Sequence, residues 1–290
     1  MINNKMKNSH LPKISIVTPS YNQAEFIEKT ILSVLGQEYP NLEYIIIDGG
    51  STDGSVDIIK KYENRITYWV SEPDEGQAHA IRKGFGKCTG DILAWLNSDD
   101  VYIPGAFIEV AERFKKGDCD FVYGDELMID SDDKVIGERP QLPFPGKLGL
   151  PFFIYGGFWI YQPASFWTRD LYERSGGIDK SYRFTMDPDL FIRFAMMNAK
   201  FEYIKVPVIN FRLHESSKTC TIQEVRVKER NELIDKYKGN VPGCFRSKLI
   251  MKSLGKLYFF RHLFCGNFSY FFDELLCKLG LKKKHPLMPY

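Results

Sequence analysis

Four times within the first hundred residues an apolar, strand-like run stops abruptly in a polar or glycine-rich cluster. The four segments are 14–22 (ISIVTPSYN), 44–55 (YIIIDGGSTDGS), 68–77 (YWVSEPDEGQ) and 92–100 (ILAWLNSDD). Between them the apolar spacing turns helical, as at Ile27, Ile31, Val34 and Leu35. Strands alternating with helices build βαβ units and a parallel sheet. Ligands of such sheets bind beyond the carboxyl ends of the strands. All four clusters fall at that edge and are expected to converge on one site.

The spacing predicts helices over 24–37, 55–62, 76–87, 187–197 and 222–237, and one running to 114 with Pro104 at its first position. Strands are expected at 42–47, 66–71, 92–96, 121–124 and 126–129, and as a pair over 201–213 broken at Pro207. The 92–96 run is nearly all apolar, which suits a strand covered on both faces at the sheet centre. Residues 140–161 are rich in Pro, Gly and aromatics without a regular period, and are expected to form a functional loop.

Lys and Arg number 39 against 37 Asp and Glu, a balance that argues against a nucleic-acid binder. The balance hides an asymmetry. Residues 241–290 carry nine basic side chains against Asp273 and Glu274, a net of +7, leaving 30 basic and 35 acidic side chains, a net of −5, in residues 1–240. Such a tail suggests a partner of its own. The six cysteines are widely spaced and form no zinc pattern, as expected of reduced cytosolic thiols. The polar first residues lack the apolar core of a signal peptide, and no run approaches the roughly 18–20 apolar residues of a membrane span. The expectation is a cytoplasmic protein, at most peripheral on the inner face of the plasma membrane.

Asn97-Ser98-Asp99-Asp100 is the sharpest chemical signal. Adjacent carboxylates after a buried strand suit Mg²⁺ or Mn²⁺ bridged to substrate phosphates, or else a polar turn before the next helix. The clusters hold too few basic residues to neutralise a diphosphate, which adds weight to a metal. Asp48 opens a glycine-rich turn and can accept from a base or ribose; the alternative is an Asx-turn with an N-cap at Ser51 or Asp53. Tyr21 can stack on a base or fill a core. Asp187 and Asp189 stand at a helix start, where a carboxylate is either a cap or a general base. His214 ends the last strand, as a metal or phosphate contact or as a surface histidine.

Taken in order, TPSYN (18–22), DGGSTDGS (48–55), EPDEGQAHAIRKG (72–84), LNSDD (96–100) and MDPDL (186–190) resemble the family-2 glycosyltransferases, over residues 13–215. The resemblance implies an α/β, GT-A-like nucleotide-diphosphosugar transferase fold: a mostly parallel central sheet flanked by helices, here with a helical C-terminal tail. It divides the chain into a loose N-terminus (1–12), a catalytic domain (13–240, with a nucleotide half to 100 and an acceptor half beyond) and the tail (241–290). It implies transfer of one hexosyl or N-acetylhexosaminyl unit, with inversion, from a UDP-linked donor to a glycan or lipid-linked hydroxyl in bacterial surface-polysaccharide assembly. Mg²⁺ or Mn²⁺ is the implied cofactor.

By position, the resemblance puts Tyr21 and Asp48 on the donor base, Pro19, Asn22 and Ser98 nearby, Asp99 on the metal and Asp187 as the base. The chain departs from the pattern at several points. Asn97 stands where the Asp-x-Asp motif begins, so Asp99 becomes the main protein ligand, aided by Asp100 or His214. Gly49 replaces a second aspartate, Ile81 takes a frequent arginine position with Arg82 as substitute, and Met186 replaces a glutamate. The Gln-x-x-Arg-Trp signature of processive synthases is absent, which implies one sugar per encounter.

Two other classes compete. A sugar-nucleotide pyrophosphorylase would carry a glycine-rich, basic loop after the first strand, and TPSYNQAEF has neither feature. A non-catalytic nucleotide-sugar-binding component of an assembly complex has no need of both Asp99 and Asp187. Residues 144–167, with Phe152, Phe153, Tyr155, Phe158, Trp159 and Tyr161, either flank the acceptor or form a flap on the core. On a helical wheel of 247–264, Lys248, Lys252 and Lys256 line one side, while Leu249, Ile250, Leu254, Leu257, Phe260 and Phe264 fill much of the rest. That pattern suits an interfacial helix, with residues 245–284 on an anionic membrane, or a terminal helix packed on the domain or on a second copy in a homodimer.

Overall fold

The computed structural model describes residues 11–146, 149–155, 160–243, 250, 253–254, 256, 259–278 and 281. Strands β1 (Ile14–Ser20), β2 (Leu42–Asp48), β3 (Tyr68–Ser71) and β4 (Ile92–Trp95) lie parallel, joined through helices α1 (Ile27–Leu35), α2 (Ser55–Lys61) and α3 (Gln77–Phe85). Beyond them come β5 (Val101–Tyr102), β6 (Phe121–Ile129), β7 (Val135–Arg139), β8 (Ser165–Thr168) and β9 (Phe201–Arg212). The sheet order is β3-β2-β1-β4-β8-β6-β9-β5, with β7 on β6. β8 runs antiparallel between β4 and β6, whereas β6 and β9 are parallel. One sheet therefore runs through both halves of the predicted catalytic domain, and its longest ladders are parallel.

Both faces of the sheet are covered, which is why its first strands read as unbroken apolar runs. Ile16, Tyr44, Ile46, Ile92 and Ala94 pack on one side with α1 and α4 (Ala106–Phe114). Val17, Ile45, Ile47, Leu93 and Trp95 face the other, against α3 and the later helices. Those are α5 (Gly149–Tyr155), α6 (Arg169–Arg174), α7 (Met186–Met196) and α9 (Gln223–Tyr237), with the short α8 (Lys218–Thr221) before α9. Two helices of the tail follow, α10 (Arg261–Phe264) and α11 (Phe268–Lys278). Among the described residues no helix is long and apolar enough to cross a membrane.

Three local expectations fail for physical reasons. Pro104 does not open α4: Gly105 caps it with φ 86°, a left-handed turn that glycine adopts at little cost, so the helix begins at Ala106. Neither β6 nor β9 is broken. Pro207, lacking an N–H, stands opposite Asp125 where the register shifts, while the Asp125 carboxylate accepts from Gln141 N at 2.6 Å and Tyr203 OH at 2.8 Å. Residues 140–161 contain α5, whose Pro151, Phe152, Phe153 and Ile154 are all buried. A helix buried on nearly every side has no polar face to give it a period.

The approach of α3 to the sheet depends on Gly84. A Cβ there would lie 2.4 Å from Val17 Cγ1 and 3.3 Å from Ile47 Cγ1. Gly84→Ala should therefore cost about 1–3 kcal/mol through overpacking, read from the denaturation midpoint. An unchanged midpoint would mean that α3 is free to shift off the sheet.

Candidate active site

The carboxyl ends of β1 to β4 open onto a cleft of about 1630 Å³. Pro19 and Tyr21 reach it from the first end, Gly49 from the second, Asp74 from the third, and Asn97 with Asp99 from the fourth. Asp187 at the start of α7, His214 just after β9 and Lys218 at the start of α8 line it as well. All four N-terminal clusters thus meet at one place, as their position along the strands required.

The fourth cluster is fixed by Arg212, which is completely buried. Its backbone N–H donates to Asp100 Oδ1 at 3.0 Å and its Nε to the Asp99 carbonyl at 2.8 Å. Its Nη1 donates to the Asp130 carbonyl at 2.9 Å, and Nη2 pairs with Asp133 at 2.6 Å. Asp100 is consequently turned into the protein, fully buried, and also accepts from Asn97 Nδ2 at 3.3 Å. Burial, and the neighbouring Asp99 charge, push its carboxyl well up. Asp100 is therefore not placed to ligate a metal.

Asp99 points the other way. Its Oδ2 lies 3.0 Å from His214 Nε2, and His214 Nδ1 is held by Ser216 Oγ at 2.8 Å. A carboxylate and an imidazole nitrogen, the latter oriented through its second nitrogen, form a two-donor set that fits a divalent cation. Among the described residues no group of three acidic, His or Cys side chains is assembled, so phosphate or water would have to supply the remaining ligands.

Asp187 is set by α9. The Glu229 carboxylate accepts from the N–H groups of Arg183 (2.7 Å), Phe184 (2.9 Å) and Thr185 (2.9 Å), which fixes the chain just before α7. Burial opposes the charge on Glu229, but these donors hold its carboxyl below the usual range. Asp189 is fully buried and bound by Arg193, Lys236 and the Tyr237 hydroxyl, so it anchors α7 to α9 and does not face the cleft. Among the described residues Asp187 has no such side-chain hydrogen bonds; its own backbone N–H is a donor to it. Burial pushes its carboxyl up to about 7, with Lys218 pulling the other way.

Several predicted contacts lie elsewhere. Asp48 is fully buried and accepts from Gly50 N, Ser51 N, Ser51 Oγ and Ser71 Oγ, so its oxygens shape the turn and are not open to a base. Asn22, at φ 52°, ties the first loop to the second by accepting from Thr52 N at 3.0 Å. Arg82 donates to the Ile178 carbonyl at 3.0 Å, joining α3 to a distant turn outside the cleft lining. Ser98 and Asn97 do line the cleft, and Tyr21 stands at its rim, 63% exposed. The space that Gly49 leaves by lacking a side chain is taken by the Asp74 carboxylate, 2.9 Å from where a Cβ would sit. Of the aromatic segment, Phe152 and Phe153 are core, Tyr161 lines the cleft, and Phe158 and Trp159 fall outside the described residues.

The scarcity of basic residues inferred from the clusters does not hold in three dimensions. Lys180, Arg183, Lys218 and Arg226 all line the cleft. Lys218 donates to Gln77 Oε1 at 2.7 Å, Gln77 Nε2 donates to Asn97 Oδ1 at 2.7 Å, and Asn97 donates on to Asp100. An ionised aspartate at 97 could not make this donation to Asp100. Burial lowers the Lys218 ammonium to about 8, partly offset by Asp187. Glu126 is a second acid in the lining, raised by burial to about 7 and opposed by Arg139, which pairs with it at 3.3 Å. The sequence signal for Lys218 was its place four residues after His214; Glu126 had none.

Comparison with known proteins agrees with this geometry. The family profile of Glycosyl transferase family 2 matches residues 15–174. A Mycobacterium tuberculosis glycosyltransferase described as uncharacterized is 30% identical over 190 residues, covering 64% of this chain and 70% of its own. Bacillus subtilis TuaG, whose name assigns it provisionally to teichuronic acid biosynthesis, is 37% identical over 144 residues, or 47% of this chain and 57% of its own. The Pyrobaculum calidifontis mannosyltransferase PcManGT, solved with GDP-Man and Mn²⁺, superposes with a TM-score of 0.61 at 16% identity, covering 88% of this chain and 76% of its own. Residues 1–349 of S. aureus TarS, solved with UDP-GlcNAc, give 0.58 at 16% identity, over 78% of this chain and 71% of that one. The chain belongs to glycosyl transferase family 2 and has the GT-A-like fold.

Proposed function

We propose that the protein transfers one sugar, with inversion, from a nucleotide-diphosphate sugar to a hydroxyl of a glycan or lipid-linked acceptor in polysaccharide assembly. The observation that carries this reading is that one cleft is lined both by Asp187, a carboxylate that burial raises, and by the Asp99–His214 pair. The provisional role in TuaG's name supports a polysaccharide acceptor. UDP-linked donors are the first to test, with GDP-linked ones beside them, since both appear in structures of the same fold.

Asp99 and His214 would hold a divalent cation against the donor diphosphate. The imidazole donor favours Mn²⁺ over Mg²⁺, which prefers oxygen alone. When bound, such an ion offsets charge gathering on the departing diphosphate. Lys218 serves the same charge from this chain: its ammonium needs only to leave Gln77 Oε1 to reach a phosphate oxygen. Tyr21 at the rim and the Asp74 carboxylate beside Gly49 are the candidates for stacking on the base and accepting from it. Asp187 removes the acceptor proton as the hydroxyl attacks the anomeric carbon opposite the leaving group. A single base suffices for that displacement.

The two shifted groups define a pH window. Asp187 gains its basic form as pH rises through about 7, and Lys218 loses its charge above about 8. kcat/KM should therefore rise and then fall, with its maximum between those limits. Asp187→Asn should lower kcat by roughly 10²–10⁴ while leaving donor affinity largely intact. Normal turnover by this variant would remove Asp187 from the role and make Glu126, the other lining acid raised to about 7, the next to test.

Stability gives an independent reading of the same group. The carboxyl of Asp187 is raised on folding, so its contribution is present below the unfolded value near 3.8 and is lost as pH rises through about 7. Asp187→Asn removes that loss, and should gain roughly 1–3 kcal/mol at pH 8 but almost nothing at pH 4. Asp99→Ala should keep the fold and abolish the effect of Mn²⁺ on nucleotide affinity. An Asp99 variant that still binds UDP or GDP more tightly with Mn²⁺ would place the ion elsewhere.

A further inference from the structure

The tail carries an apolar face that the domain does not use. Phe260 (50%), Phe264 (89%), Phe268 (57%) and Phe272 (53%) are exposed, with Leu276 (37%) and Leu281 (73%) continuing the set. Residues 268, 272 and 276 recur at four-residue intervals on one face of α11. The hairpin made by α10 and α11 nevertheless has a core of its own. Phe271 is buried against Phe259 (ring centroids 5.2 Å apart) and Phe260 (5.5 Å), and His262 is buried against Tyr270. Lys205 Nζ bonds the Cys265 carbonyl, and Leu254 and Cys265 pack on the main core. Of the predicted interfacial helix over 247–264, residues 247–249, 251–252, 255 and 257–258 lie outside the described residues, and Leu254, assigned there to the apolar face, is turned inward.

The other side of α11 faces the cleft. Tyr270, Asp273, Glu274 and Cys277 line it, at helical positions roughly opposite Phe268, Phe272 and Leu276. Asp273 and Glu274 are the sole acids among residues 241–290, which carry nine Lys and Arg. Both acids lie on the cleft side, while exposed Arg261 stands three residues before Phe264 in α10 and exposed Lys256 four residues before Phe260. Exposed aromatics flanked by cations are what an anionic lipid interface selects; a protein partner would not require the cations.

We propose that the α10–α11 hairpin seats the protein on an anionic bilayer, with Phe264, Phe268 and Phe272 in the interfacial layer, while the inner side of α11 forms the cleft wall nearest the lipid. An acceptor anchored in that bilayer then reaches the cleft past α11. The docking stands on the exposed face alone; the acceptor route rests on the sugar-transfer reading.

The test is flotation of the full chain with vesicles of phosphatidylcholine alone and of phosphatidylcholine mixed with phosphatidylglycerol, beside the variant Phe264→Glu/Phe268→Glu. The wild type should float with the mixed vesicles, release as salt is raised, and bind the neutral ones weakly. The variant should bind at least about tenfold more weakly, with unchanged thermal unfolding and unchanged stabilisation by UDP or GDP. If that variant unfolds, Phe268→Ser/Phe272→Ser serves in its place. A wild type that stays off mixed vesicles, or variants that bind as well as it does, overturns the proposal. So does a wild-type dimer that the variant converts to monomer, since a second copy would then cover the face. Vesicle binding without any nucleotide binding would leave docking intact and overturn the sugar-transfer reading instead.

Discussion

A single buried cation holds the candidate site together. The Arg212 guanidinium binds the Asp99 carbonyl, the Asp130 carbonyl and Asp133, and its backbone N–H holds the Asp100 carboxylate, so that the end of β4, the β6–β7 turn and the end of β9 become one rigid corner. Removing such a charge would strand buried acceptors on several elements, which typically costs about 3–5 kcal/mol. The functional consequence follows from chain geometry. Asp99 is one residue from Asp100, and His214 two from Arg212, so fixing the inner pair brings the outer pair to 3.0 Å at the cleft surface. Thr30 Oγ1 extends the corner to α1 by donating to the Asp100 carbonyl at 2.8 Å.

The surroundings of Asp187 are built by a different means. There α9 grips α7 twice, through Glu229 on the backbone before it and through the Asp189–Lys236–Tyr237 cluster beneath it. Asp187, between those two anchors, is held in a poorly hydrated place without a hydrogen-bonding cation, and its raised proton affinity is the result. Such an arrangement costs stability at neutral pH and suits a group that must take a proton there. The relay from Lys218 through Gln77 and Asn97 to Asp100 ties the start of α8 to the end of β4, so the position of the cleft's most buried lysine depends on the same corner as the metal-fitting pair.

The sequence made the first half of the sheet legible because strands buried on both faces leave continuous apolar runs, and polar residues mark where each run stops. It also pointed to Asp99, Asp187 and His214, each at an element end. It could not separate Asp99 from Asp100: adjacent residues on a turn face opposite ways, and only Arg212, more than a hundred positions later, decides which is turned inward. For the same reason Asp48 read as a ligand contact, although Ser51 and Ser71 occupy its oxygens. The basic side chains of the cleft come from β7, α8, α9 and the loop before α7, so no local cluster announced them. α5 was invisible because uniform burial erased its periodicity.

The central claim is that the strand-end loops and the α7 N-terminus serve one donor sugar from two sides. Crystallography of the full chain with Mn²⁺ and an unhydrolysable UDP- or GDP-sugar, whichever stabilises the protein, tests it most directly. The account predicts a diphosphate between Asp99–His214 and Lys218, with the anomeric carbon open to a hydroxyl held by Asp187. A diphosphate bound away from both groups, or an anomeric carbon whose open face is turned from Asp187, would contradict it.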